Sequence, residues 1–517
     1  MDASKKLNNE LNLSKGKTTR DKVENTQTEE LFIGICAPIG SSREVVIEEI
    51  KKQLNKKYFY DVEIIKLSKF IEQHKTESVV SKNGETQAFS NLMHKITEGD
   101  KLRKRINNSV LAELAIRQIL FSRLEEAGIK EEDINLNIED LKSRRKCFIF
   151  DSIKNLEELL LLRSVYTENF YLFSIFSPLN ERKTNLQAKD LSPSEIDKIV
   201  NADDFENNDF GQNVKGTFIE GDFIVRVSNE NIEQLNKKIE RYLHLIFESE
   251  IITPTFNETA MYSAKSASVN SACLSRQVGA SITDKEGNLI STGWNDVPKF
   301  GGNLYKEEDI NDKRCKVLGY CSNDNQKNDL IQGILNSIIT DPNLKDLLYG
   351  NDLLVRNIIE NILVKSKIKD LIEFSRSVHA EMHAIISGSQ LAGSKMVEGK
   401  LFCTTYPCHN CARHIIVSGI KEIYYIEPYS KSLCITLHSD AITEDEKSDT
   451  KVRILVYDGV APRRYLSFFN KFADRKKDGK LAEFDLKKIK PKSTKSLQAL
   501  PTLEHQAIHS LEENGLN

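Results

Sequence analysis

The sequence predicts an α/β protein made of two successive units. Three observations lead to this: a strand, a glycine turn and a helix open the patterned part of the chain, strands then alternate with helical segments, and a fresh alternation begins beyond Thr253-Pro254-Thr255. The opening run LFIGICAP at 31–38 has the continuous apolar pattern of a short buried strand. After the turn Ile39-Gly40-Ser41-Ser42, the segment REVVIEEIKKQL places Val46, Ile47, Ile50 and Leu54 at helical spacing. Further strands are expected at DVEIIKLS, CFIFDSI and NFYLFSIFS, with a helical stretch at 111–124, so the first sheet should be mainly parallel. The polar run NADDFENNDFGQN and the helical run IEQLNKKIERYLHLIF lead to the break.

Beyond it, Ala260, Ala264 and Ala267 mark a small-residue helix, and VGASITD and NLISTGWN form a hairpin around Lys285-Glu286-Gly287. A long insertion follows, then helix, strand, helix and strand. The expected organisation is a disordered tail at 1–30, a first unit at 31–252, a second at 253–474 with an insertion at 297–377, and a Lys-rich tail at 475–517.

Composition excludes several classes. With 39% hydrophobic and 29% charged residues and a net charge of −3, the 517-residue chain is too apolar for wholesale disorder and lacks the bulk positive charge of a duplex-binding domain. No apolar run reaches the roughly 18 residues of a membrane span, and the charged first thirty residues lack a signal-peptide core, so a cytoplasmic protein is expected. Nine scattered cysteines do not make a disulfide framework. Cys36, Cys147, Cys273, Cys403 and Cys434 read as small buried hydrophobes. Cys315 and Cys321 are candidates for a second metal, although no nearby pair completes such a site.

Cys408 and Cys411 stand apart. The segments VHAEMHAII and TTYPCHNC contain H-x-E followed by P-C-x-x-C, the recognised signature of zinc deaminases. His379, Cys408 and Cys411 supply three ligands and leave a fourth position open for water. Two cysteines at i and i+3 share a face of a helix's first turn, Pro407 is tolerated at its start, and the helix N-terminus favours thiolate. Glu381 is not a ligand in this pattern and is free to move protons. A zincin protease would need Glu directly after the first His, where Ala380 stands. A structural four-ligand site would need His409 or His414; the open-site logic favours catalysis, and His383, His409 and His414 read as surface or packing residues.

With these motifs, SRQVGASITDKEGNLISTGWNDVP, VHAEMHAI and TTYPCHNCARHIIVSGIKEIYYIEPY resemble the deoxycytidylate deaminase family over most of 256–465. The resemblance implies a cytidine-deaminase-like α/β/α domain with Zn2+, in which Asn295 hydrogen-bonds the deoxyribose and the Ala380 backbone meets the pyrimidine ring. Free-base and tRNA deaminases share only the zinc motifs, so Gly293-Trp294-Asn295-Asp296 favours a nucleotide. Together with the first unit, read as a P-loop kinase-like domain, the chain is similar to bacterial anti-phage dCTP deaminases, with which NDVPKFGGNLY, EPYSKSLCITLHSDAI and YDGVAPRRY agree. That similarity implies conversion of dCTP and dCMP to their uracil forms and restraint by an inhibitory small RNA. It also implies a homo-oligomer, with a hexamer the model, in which the helical insertion has a part in assembly. Tyr429, Lys431, Arg463 and Arg464 are candidate phosphate or base contacts.

A working phosphate loop reads G-x-x-x-x-G-K-[ST]. Here Ala37 and Ser42 replace the glycines, Arg43 the lysine and Glu44 the hydroxyl residue. Gly40, Ser41, Ser42 and Arg43 remain candidates for holding an anion at a helix start, and Asp151 ends a strand where the magnesium acid would stand. The expectation is a regulatory nucleotide site without catalysis. Basic clusters at 101–105 and 144–146 are candidate RNA contacts. The rival to an enzyme is a nucleotide- or RNA-sensing protein that retains a deaminase-fold site, but an intact Glu381 beside all three ligands favours catalysis.

Overall fold

The computed structural model describes residues 26–79, 84–130, 142–205, 210–342, 352–429, 432–470, 475–497 and 499–516. The chain divides into two compact units, Met1–Thr253 with Asp458–Asn517, and Pro254–Tyr457.

In the first unit the strands are β1 (Leu31–Cys36), β2 (Asp61–Lys66), β3 (Lys146–Asp151), β4 (Phe170–Phe176) and β5 (Phe223–Arg226). All five run parallel, in the order β2-β3-β1-β4-β5. β1 is buried at every position, as a central strand covered on both faces must be. The winding direction reverses around β1, so its carboxyl end opens on the crevice where open α/β sheets hold ligands. The helix Arg43–Gln53 leaves that end and buries Val46, Ile47 and Ile50, the apolar spacing seen in sequence.

The C-terminal segment departs from expectation. The second unit ends at Tyr457, and the residues after it complete the first. Gly459–Val460 adds an antiparallel strand to β5, and Phe468 stacks on Phe223 with ring centroids 5.1 Å apart. Helix Ala499–Glu513 packs on helix Val110–Ala127 and buries Leu500, Ile508 and Leu511, so 475–517 is not a loose tail. That apolar stripe is a short pattern following a Lys-rich stretch, which hides it. Of the tail expected at 1–30, residues 26–30 are described; Glu30 is fully buried and ion-paired with Arg123 at 2.6 Å.

Most cations of the two basic clusters are engaged within the fold. Arg103 is buried against Glu158, Lys101 pairs with Glu77 and Glu98, Arg144 with Glu30, Arg145 with Glu29, and Lys146 with Glu63 and Glu126. Lys104 and Arg105 of the first cluster stay exposed.

The second unit begins with a capping box: Thr255 Oγ1 accepts from the Glu258 amide at 3.2 Å, and Glu258 accepts from the Thr255 amide at 2.7 Å. Helix Phe256–Ser268 follows. The sheet contains β6 (Gly279–Thr283), β7 (Leu289–Trp294), β8 (Lys400–Thr405), β9 (Glu422–Glu427), β10 (Ile442–Thr443) and β11 (Val452–Val456), in the order β10-β11-β9-β8-β6-β7. β6 is antiparallel to β7 and β8, whereas β8, β9, β11 and β10 run parallel. The predicted hairpin is present, and Gly287 supplies the positive φ of 92° that its turn requires. In the insertion, helices Ser322–Thr340 and Asp352–Lys365 pack on one another. No helix among the described residues is long and apolar enough to cross a membrane.

Candidate active site and metal centre

Backbone pairing places the first ligand. The Val378 amide donates to the Asp296 carbonyl at 2.9 Å just beyond β7, so His379 becomes the N-cap of helix Ala380–Ala392. That helix lies directly on β7. A Cβ at Gly293 would stand 2.4 Å from Ala380 O and Ala384 N, so only glycine permits this approach.

The two cysteines come from the end of β8. Cys408 is the N-cap of helix His409–Val417, and its Sγ accepts from the Cys411 amide at 3.4 Å. Pro407 therefore stands one residue before the cap rather than in the first turn. His379 Nδ1 lies 3.3 Å from Cys408 Sγ and 3.3 Å from Cys411 Sγ. Among the described residues these three form the one group of His, Cys, Asp or Glu side chains whose ligand atoms all lie within 4.8 Å. One imidazole and two sulfurs at such separations are what a single zinc ion with bonds of roughly 2.0–2.3 Å would gather, so the residues fit the metal. The Cys408 thiol is held down at about 4 by hydrogen bonding with Cys411 and by His379, against the effect of burial.

Glu381 is 4% exposed and is not part of the donor group. Burial raises its carboxyl above the usual range, reinforced by the neighbouring Cys408. Cys403, on β8, adjoins it.

The other histidines are accounted for. His383 Nδ1 accepts from the Trp294 amide at 3.2 Å and its Nε2 meets Asn303 at 3.2 Å; His414 Nδ1 contacts the Asn410 carbonyl; and His409 lies 3.5 Å from Glu373.

A cleft of about 270 Å³ opens over this centre, lined among others by His379, Ala380, Glu381, Cys408, Asn295 and Tyr429. Asn295 Oδ1 accepts from the Val278 amide at 2.7 Å and its Nδ2 donates to the Arg276 carbonyl at 2.9 Å, so its side chain fixes the wall that carries Arg276. Sequence reasoning missed Arg276, which pairs with Glu427 at 2.7 Å and stacks over the Tyr429 ring at 5.5 Å. Its signal was the Arg of the quoted SRQVGA run. Lys431 lies outside the described residues. Arg463 belongs to the first unit, where it donates to the Glu220 carbonyl at 2.8 Å and faces Asp222, while Arg464 binds Asp222 at 2.8 Å. Neither lines the cleft, a correction to their reading as substrate contacts.

In the first unit the candidate anion loop is engaged internally. The Ile39 amide donates to Asp203 at 2.6 Å, the Ser41 amide to the Pro38 carbonyl at 3.1 Å, and the Ser42 amide to Ser177 Oγ at 3.2 Å. Arg43 Nε donates to Asp151 at 2.9 Å. Gly40 is pressed on the Arg182 backbone, 2.7 Å from where its Cβ would be. This is not an open phosphate cradle.

Residues 254–427 match the family model described as the cytidine and deoxycytidylate deaminase zinc-binding region. The deoxycytidylate deaminase of Enterobacteria phage T2 is 30% identical over 176 residues, 34% of this chain and 81% of that protein. The chain belongs to the deoxycytidylate deaminase family. The deoxycytidylate deaminase of Enterobacteria phage T4 is 30% identical over 178 residues, 34% of this chain and 79% of that protein. ComE operon protein 2 of Bacillus subtilis is 34% identical over 119 residues, 22% of this chain and 59% of that protein. As a member of this deaminase family the chain is a zinc enzyme, and His379, Cys408 and Cys411, within the matched region, are the residues that fit its metal.

Proposed function

We propose that the chain hydrolytically deaminates deoxycytidine nucleotides, dCTP to dUTP and dCMP to dUMP, and that depletion of these nucleotides serves defence against phage. The observation that carries the reading is the gathering, in one cleft, of a three-donor metal group and a buried carboxyl that is not a donor. The deoxycytidylate deaminases of phages T2 and T4 support the deoxycytidine nucleotide, and the quoted segments shared with anti-phage dCTP deaminases support the triphosphate and the role in defence.

His379, Cys408 and Cys411 would hold zinc, which when bound would supply the Lewis acidity that makes water a nucleophile near neutral pH. Glu381 takes the proton from that water and returns protons to N3 of the ring and to the departing amine. A C4–O bond forms, the bond from C4 to the amine breaks, and the deoxyuridine nucleotide and ammonia leave with atoms balanced. The Ala380 backbone would meet the ring and Asn295 would hydrogen-bond the deoxyribose, both being in the cleft lining. The first unit, whose loop lacks the phosphate-loop residues, regulates rather than catalyses.

The test is zinc-replete protein incubated with dCTP, dCMP, CTP and cytidine, following ammonia and the uracil product. Glu381→Ala should lose on the order of 10²–10⁴-fold in turnover with zinc retained, and Cys408→Ala should lose zinc. Intact turnover in Glu381→Ala, or full zinc content in Cys408→Ala, would overturn the assignments.

A further inference from the structure

We infer that the insertion at 297–377 builds the subsite for the 5′-phosphates of the substrate, and that Lys369 and Arg376 are the specificity-determining residues that read them. The inference rests on the deoxycytidine-nucleotide reading above. Four cations line the cleft: Arg276, Lys327, Lys369 and Arg376. Their states differ. Arg276 is paired with Glu427 at 2.7 Å and Lys327 with Asp324 at 2.8 Å. Among the described residues Lys369 has no ion pair, and Arg376 makes a single hydrogen bond, to the Lys313 carbonyl at 3.2 Å. Two cations in the lining of a concave site are therefore not neutralised by a carboxylate.

Their placement suits a nucleotide, which has an uncharged aromatic end and an anionic end. Of the residues lining the cleft, Glu381 and Cys408 are buried, whereas Lys369 and Arg376 are exposed to solvent. A ring seated against the buried groups leaves its phosphates on the solvent side, where the two exposed cations lie. An Arg fork grips phosphate oxygens in pairs and a Lys ammonium acts as a point charge, so the two together favour a phosphorylated substrate over a nucleoside. Both residues come from the insertion and neither touches the metal group, so phosphate recognition is separable from the chemistry of the ring.

The experiment measures kcat and KM of zinc-replete full-length protein for deoxycytidine, dCMP and dCTP, with Lys369→Ala, Arg376→Ala and Lys369→Arg. Each alanine variant should raise KM for dCMP and dCTP by about tenfold or more with kcat held, because a charge-assisted bond is lost. Deoxycytidine turnover should be unchanged, and Lys369→Arg should stay close to the wild type. An unchanged nucleotide KM, or an equal loss on all three substrates, would overturn the inference. A wild-type protein that turns over none of the three would sink the underlying reading instead, before any variant is compared.

Discussion

Arg43, the first residue of the helix after β1, and Asp151, the last residue of the neighbouring β3, meet at 2.9 Å, Nε to Oδ1. The residue standing where a phosphate loop has its lysine thus binds the acid that would hold magnesium. With the Ile39 amide on Asp203 and the Ser42 amide on Ser177, groups that a phosphate would use already have partners.

The first unit should therefore show no ATP-dependent phosphoryl transfer to any nucleotide. Arg43→Ala should instead lower stability by about 1–3 kcal/mol, because it leaves a nearly buried carboxylate without its cation. Urea unfolding reads the second effect. A phosphotransferase activity that vanishes in Arg43→Ala would sink the reading.

Arg123 lies between Glu30 and Glu504 at 2.6 and 2.9 Å, all three nearly or fully buried. Burial pushes the Glu504 carboxyl up while Arg123 pulls it down. Arg123→Met should cost about 3–5 kcal/mol, since the buried Glu504 would lose its cation and Glu30 would keep only Arg144. Replacing all three by apolar residues of similar volume should cost far less. Denaturant midpoints of the two variants would separate these outcomes, and an unchanged midpoint in Arg123→Met would show that the triad is not an internal charge cluster.

Glu98 supplies a pH dependence. Burial opposes its ionisation, but bonds from Lys101 at 2.8 Å and from the Thr76 amide and hydroxyl at 2.6 and 2.9 Å prevail, holding the carboxyl at about 2 against an ordinary value of 4.5. A carboxyl depressed in the folded state contributes stability that is fully present above its unfolded value and is lost as pH falls from there through the folded one. Wild-type stability should therefore drop between about pH 5 and pH 2 more steeply than that of Glu98→Gln. Parallel slopes in urea titrations across that range would refute the assignment.

The metal group was legible because its geometry is local. Cys408 and Cys411 are fixed by one helix start, and His379 by another, whatever the rest of the chain does. Arg276 and Cys403 were not, since sheet pairing brings them in: Cys403 through the register of β8 on β6, and Arg276 through a partner 151 residues away. The strand alternation of both units could be read from apolar patterning. Nothing in that patterning assigned 458–516 to the first unit, because a two-residue strand and one short amphipathic helix carry no mark of their destination. Arg463 was misplaced for the same reason, as a loop arginine does not announce which carboxylate it will find.

The return of the last segment to the first unit has a consequence for synthesis. During translation the whole deaminase unit is made while the unit preceding it still lacks the strand Gly459–Val460 and the helix Ala499–Glu513. Arg123 and Glu504 lie 381 residues apart in the chain. The nascent chain must therefore keep Arg123 waiting with one acid of its two, and a ribosome that stops early leaves a finished deaminase unit attached to an unfinished neighbour.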